Sequence, residues 1–186
     1  MERLHLAALC GATLLAGCLP APPGSAPQTA RLGGGDVVIG GPRGYCVDPK
    51  VTARDAGRSF GVIASCRRIA GGDAGPPAPP MIVTVTVGGP GSGSALPEAR
   101  ALASETGQRM IAGTREGGLT AVHLAGGGAE VLDDGDPKYW RGAFVQGGRM
   151  VGLALYAPLG SPLAGDGGAA MLRAVRDRIA ALSPRD

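Results

Sequence analysis

Aromatic side chains are scarce in this sequence: three Tyr, two Phe and one Trp among 186 residues. Its interior must therefore be filled mainly by Val, Leu, Ile, Met and Ala. Charge is sparse too, at 18% Asp, Glu, Lys and Arg with a net of +3, and there is no block of like charges. Binding to a phosphate backbone relies on a clustered cationic patch, so nucleic acid is not an expected partner. Only His5 and His123 represent histidine, too few for a His-based zinc site without other ligands. No apolar run reaches the roughly 20 residues of a lasting transmembrane helix.

What abounds is glycine and proline, 34 and 16 residues, a share at which structureless low-complexity sequence becomes a serious reading. The remaining composition opposes it. Hydrophobic residues make up 44% of the chain and mean hydropathy is +0.13, whereas disordered chains are apolar-poor and charge-rich. The length suits one domain of about 150 residues plus a tail, enough for a real core.

The N-terminus carries Arg3, then an apolar stretch from Leu4 to Ala16, then Leu15-Ala16-Gly17-Cys18. A charged start, a short apolar middle and small residues before a cut are the parts of a secretory signal. The ending resembles the lipobox of bacterial lipoproteins, whose peptidase leaves the invariant Cys as an acylated first residue. That resemblance implies a signal peptide over 1–17 and acyl chains on Cys18. Several acyl chains on one residue exceed what stable anchoring requires, so the implied partner is a membrane surface. Leu19 stands where the sorting pattern of enteric lipoproteins has an Asp for inner-membrane retention, which implies the periplasmic face of the outer membrane. Residues 18–36 then read as the lipidated Cys and a Pro-, Ala- and Gly-rich tether, with the globular domain over 37–186.

Export leaves Cys46 and Cys66 as the remaining cysteines, in a compartment that favours oxidation. Strand-like Tyr45 to Val47 and Phe60 to Cys66 flank a turn-like stretch around Ala56, and a hairpin there brings the two cysteines opposite one another. Their expected disulfide is worth about 3 kcal/mol in the chain-entropy model. A redox pair would have closer spacing.

Val37 to Ile39 reads as a strand, Gly71 to Pro80 as a loop, and Met81 to Val87 as a strand by its strict alternation. A helix is expected from about Leu96 to Ile111, then short strands at Leu119 to Leu124 and Ala129 to Leu132. Tyr139 to Gln146 and Arg149 to Ala157 form a hairpin about Gly147-Gly148, a turn suited to positive φ. Gly168 to Leu182 is an amphipathic helix with Asp166 as a possible cap. The fold class is α+β, a mainly antiparallel sheet with two helices packed on it and one disulfide. The order of elements, closing with WRGAFVQGGRMVGLALYAP and AAMLRAVRDRIAAL, resembles the PsbP-like fold. The segments Gly44-Tyr45-Cys46-Val47-Asp48 and Ser65-Cys66 also resemble an uncharacterised family of bacterial envelope proteins.

No catalytic set emerges. His123 is the one mature histidine, and no Ser stands in a G-x-S-x-G turn to pair with it. Asp133-Asp134-Gly135-Asp136 lacks the spacing of an EF-hand loop, since Val145 stands eleven residues after Asp134. Gly88 to Gly93 has P-loop glycine spacing, but Ser94 replaces the required Lys, so a flexible bend is expected. The expectation is thus a non-enzymatic binding or scaffolding module of the envelope, with no metal or cofactor and with an envelope protein as possible partner. Tyr139, Arg141 and Tyr156 fall opposite the core face in the hairpin register and are the exposed binding candidates. The alternative is a hydrolase of cell-wall or lipid substrates using a carboxylate site, whose groups would have to converge in a cleft.

Overall fold

The computed structural model describes residues 26–54 and 59–184. The expected signal peptide over 1–17, the expected acylation site Cys18, the first part of the expected tether and the turn expected around Ala56 lie outside those residues.

The described residues form ten strands and three α-helices: β1 Thr29–Leu32, β2 Val37–Gly40, β3 Tyr45–Val47, β4 Ala53–Arg54, β5 Ser59–Ser65, α1 Cys66–Ala70, β6 Ile82–Val87, α2 Ala99–Ser104, β7 Met110–Glu116, β8 Leu119–Leu124, β9 Tyr139–Gln146, β10 Arg149–Tyr156 and α3 Gly168–Leu182. The main sheet runs β3-β5-β6-β10-β9-β8-β7, with β4 beside β3 on the outer side of β5. Every pairing in it is antiparallel. The class is α+β, as the order of elements implied.

One face of the sheet is covered across its inner strands, while the edge strand β7 stays exposed. Val83, Val85 and Val87 of β6, Val151, Leu153 and Leu155 of β10, and Trp140 and Phe144 of β9 point into this core. The α3 stripe Leu172, Val175 and Ile179 covers part of it, and the small β1–β2 sheet covers the rest with Leu32, Val37 and Ile39. Ser183 joins the two lids: its hydroxyl accepts from Val38 N (2.9 Å) and donates to Ile179 O (2.8 Å). Gln146 pairs with Arg149 across Gly147 and Gly148, at φ 54° and 66°. Only glycine reaches two successive left-handed positions cheaply.

Cys46 and Cys66 are bonded, but they are not opposite partners in a hairpin. Cys46 pairs with Ala64, and Cys66 opens α1, where the Ser65 hydroxyl caps the helix by accepting from Arg68 N. The capping residue ends the strand one position before the cysteine. Tyr45, whose phenol is pushed up from its ordinary pKa by burial, donates to Pro79 O at 2.8 Å and fixes the Gly71 to Pro80 loop.

Several expectations are corrected. The stretch read as tether through Asp36 contains β1, with Ala30 and Leu32 buried and Thr29 and Arg31 exposed. A two-residue period in TARL prevails there over the Gly and Pro around it. The long helix from Leu96 to Ile111 is only α2, six residues. Gly107 turns left-handed at φ 66° and Thr106 caps back onto Ala103 O at 2.8 Å, so the chain leaves the helix and returns as β7. Ala129 to Leu132 is not a strand; a 3-10 turn stands at Gly128–Glu130. Gly167 is the N-cap of α3, with no side-chain cap from Asp166. The short α1 adds a third helix to the two expected.

Candidate functional site

The second face of the sheet is only partly covered. Helix α2 lies against β7 and β8, and its Leu102 and Ala103 share a buried cluster with Val122, Leu124, Tyr139 and Ala143. Beyond it, β6 and β10 present a groove. The alternation of β6 that buries its valines sends Thr84 and Thr86 to this side. In the β10 register, Ala154 lies between Thr84 and Arg141, and Gly152 lies between Thr86 and Ala143. These small residues lower the floor; a Cβ on Gly152 would stand 2.6 Å from the Thr86 hydroxyl.

Two concavities adjoin along this floor and share Thr86, Arg141 and Gly152. One, of about 260 Å³, is bordered by Thr84, Thr106, Tyr139 and Tyr156. The other, of about 380 Å³, runs under α2 between Leu102, Glu105 and Met150. Arg141 stands between them, with Nη1 3.5 Å from both Leu102 O and Glu105 Oε2. Both contacts are at the long limit of useful geometry, so the guanidinium keeps donors for a ligand. Tyr139 and Tyr156 stack with ring centroids 5.1 Å apart and planes 11° from parallel. Burial raises the Tyr156 phenol pKa above its ordinary value, with Tyr139 and Glu130 adding to this and Arg141 opposing it.

The three residues singled out by hairpin register thus border one groove. Tyr139 departs from the expected exposure: it is buried under α2 and shielded by Tyr156, while Arg141 and Tyr156 are half-buried. Thr84 and Thr86 were legible as the polar side of an alternating strand. Glu105 and Thr106 were not, because the residues after Ser104 carried on an apparent helical period.

The other sequence features have structural roles. His123 is buried flat against Trp140, and its Nε2–H donates to Ala164 O at 2.8 Å. Asp136 is buried and ties two loops: Oδ1 accepts from Lys138 N at 2.9 Å and Oδ2 from Gly160 N at 3.1 Å. Among the described residues no group of three His, Cys, Asp or Glu side chains is placed to hold a metal ion. The Gly88 to Ser94 bend is anchored: Gly93 N donates to Gly148 O at 3.2 Å, and the Ser92 hydroxyl accepts from Met150 N at 3.0 Å.

Comparison with known proteins finds no matching family model, no matching curated protein and no matching solved structure. No helix among the described residues is long and apolar enough to cross a membrane.

Proposed function

We propose that this chain is a lipoprotein of the bacterial cell envelope, acylated at Cys18, carried on the periplasmic face of the outer membrane and acting as a non-enzymatic binding module. The carrying observation is the convergence of Arg141, Tyr156 and the Thr84 and Thr86 hydroxyls on one open groove, with Thr106 on its border. Hydroxyl donors, one available guanidinium and an aromatic wall are recognition chemistry, suited to holding a polar ligand or an extended segment of an envelope partner. The hydrolase alternative needs two carboxylates about one scissile bond. Among the described residues bordering the groove, Glu105 is the one carboxylate, and it faces the Arg141 guanidinium. The order β8, hairpin and closing helix supports the PsbP-like resemblance as a companion proposal.

Mild cross-linking in the envelope followed by capture of the anchored protein tests the reading. A component recovered with the wild type should fall about tenfold in an Arg141→Ala, Tyr156→Ala double variant, as two groove contacts of about 0.7 kcal/mol each would give. Equal recovery, or recovery of bulk lipid and abundant porins alone, overturns it.

A further inference from the structure

Strand β7 is the free edge of the main sheet, six places from β3, and all seven of its residues are exposed. It is joined to β8 through Gly117 and Gly118, at φ 56° and 77°, with Glu116 opposite Leu119. In a hairpin with such a two-residue turn the flanking pair is hydrogen-bonded, and so is every second pair after it. Thr114 and Ala112, opposite Ala121 and His123, therefore direct their main-chain groups at β8. The N–H and C=O groups of Gly113 and Arg115 face outward, and among the described residues no strand lies beyond them.

Sheet edges are commonly blunted by charges and bulges, and here the charges are met within the chain. Arg115 is paired with Glu98, the N-cap of α2, and Glu116 with Arg173 of α3 at 2.6 Å. A bulge between Met110 and Ala112 limits regular pairing to 112–116. That segment is self-complementary. When it is laid antiparallel on a second copy about Thr114, Gly113 stands opposite Arg115, so every outward main-chain group of these two residues finds a partner. Thr114 then meets Thr114 of the second copy, a favourable cross-strand pair, and Ala112 meets Glu116. The neighbouring registers are worse. Centring on Arg115 would oppose two guanidinium groups, and centring on Gly113 would draw the bulged Ile111 into the ladder.

We propose that β7 is the contact between two copies of this chain, joined antiparallel about Thr114 into one continuous sheet. The two-fold axis of such a pair stands perpendicular to the sheet, so both copies keep α2 on the same face. The two Arg141 grooves then open to one side. From β9 through β8 and β7 to β9 of the second copy there are five strand spacings, about 24 Å. The pairing stands without the binding role proposed above. Combined with that role, it makes a two-armed module whose avidity for a repeated ligand exceeds that of either groove alone.

The test uses the full chain, expressed in a bacterial host and kept in mild detergent. Native mass spectrometry should give the mass of two copies. Thr114→Lys sets like charges opposite one another at the axis and should weaken the pairing about tenfold. Thr114 is exposed, so an unchanged circular dichroism spectrum separates lost pairing from lost fold. On oxidation, Thr114→Cys chains should cross-link to one another, because residues opposed between hydrogen-bonded pairs have Cα atoms about 4.5 Å apart, within disulfide reach. Ala112→Cys, whose opposite is Glu116, places its two Cα atoms about 14 Å apart and should not cross-link. A single-copy mass for the wild type, undiminished pairing in Thr114→Lys, or equal cross-linking by the two thiol variants overturns the pairing. A Thr114→Cys chain that cross-links only to a different protein overturns the second copy as occupant of the edge.

Discussion

Asp36, the last residue of the stretch that composition marks as a tether, accepts a 2.7 Å hydrogen bond from Arg149 Nε, and the Arg149 side chain is only 8% exposed. Arg149 also donates from Nη1 to Gly88 O at 3.1 Å. The turn between β1 and β2 is thereby fastened to the start of β10, across 113 residues of sequence. Replacing Asp36 with Ala leaves a buried guanidinium with a carbonyl partner and no counter-charge. Asp36 is half-exposed, and water partly replaces it, so the expected cost is about 1 kcal/mol, the low end for a hydrogen bond to a charged group. Leu32, 1% exposed, should cost about 2–5 kcal/mol as Leu32→Ala. Urea unfolding of the two variants decides the matter: midpoints equal to wild type would return residues 29–36 to the status of a leash.

How much of this was legible in the sequence depended on how local the signal was. The Gly147-Gly148 turn announces its own register, because two successive left-handed positions admit little but glycine, and that register placed Tyr139, Arg141 and Tyr156 on one side. The alternation from Met81 to Val87 was equally self-contained. The helix near Ala99 misled because Leu102 and Met110 keep a helical spacing across Gly107, whose φ of 66° only the structure shows. Strand β7 gave no alternation to read, since all seven of its residues are exposed at the sheet edge. The groove needed both facts at once: α2 must end early for Thr106 to face Thr84, and that is a tertiary outcome.

Asp136 should give the acid limb of stability. Its burial alone would raise the carboxyl, but the amides of Gly160 and Lys138, with positive potential from Lys138 and His123, outweigh this and hold it below the ordinary value of 3.8. A carboxyl whose folded value lies below its unfolded one releases its proton more readily in the native state. Its contribution is then complete above the unfolded value and is lost as pH falls from about 4 through the folded value. Asp136→Asn should cost about 1–2 kcal/mol at neutral pH and flatten the fall in stability below pH 4. Thermal midpoints from pH 7 down to pH 3 check it, and parallel curves for the two proteins would refute the assignment.

Tyr156 provides an optical probe of the groove. Its phenol titrates above the ordinary value of 10.0, with burial as the main cause and Arg141 as the opposing one. Arg141→Met removes the opposing charge, so the phenolate absorbance attributable to Tyr156 should emerge at still higher pH. Because the folded value is raised, the linked stability is present below pH 10 and declines as pH rises through the folded value. Difference spectra against Tyr156→Phe isolate the signal, and a shift to lower pH in the Arg141→Met protein would contradict the geometry.

His123 tests whether the one histidine among the described residues is structural. Its ring lies on Trp140 with centroids 4.6 Å apart and planes 3° from parallel. Both rings end on adjacent carbonyls of the loop before α3: Nε2–H of His123 on Ala164 O and Nε1–H of Trp140 on Gly165 O, each at 2.8 Å. A buried aromatic that is stacked and bonded in this way fixes the loop against the sheet. His123→Ala removes the stack and leaves the Ala164 carbonyl without that donor, an expected loss of about 2–3 kcal/mol. Paired with Trp140→Leu in a double-mutant cycle, the two changes should be coupled by about 0.5–1.5 kcal/mol, since they share one contact. Cross-linking through the Arg141 groove should be unchanged in His123→Ala under conditions where it stays folded, because His123 faces the opposite side of the sheet. Loss of groove binding without loss of stability would instead make this histidine part of the recognition chemistry.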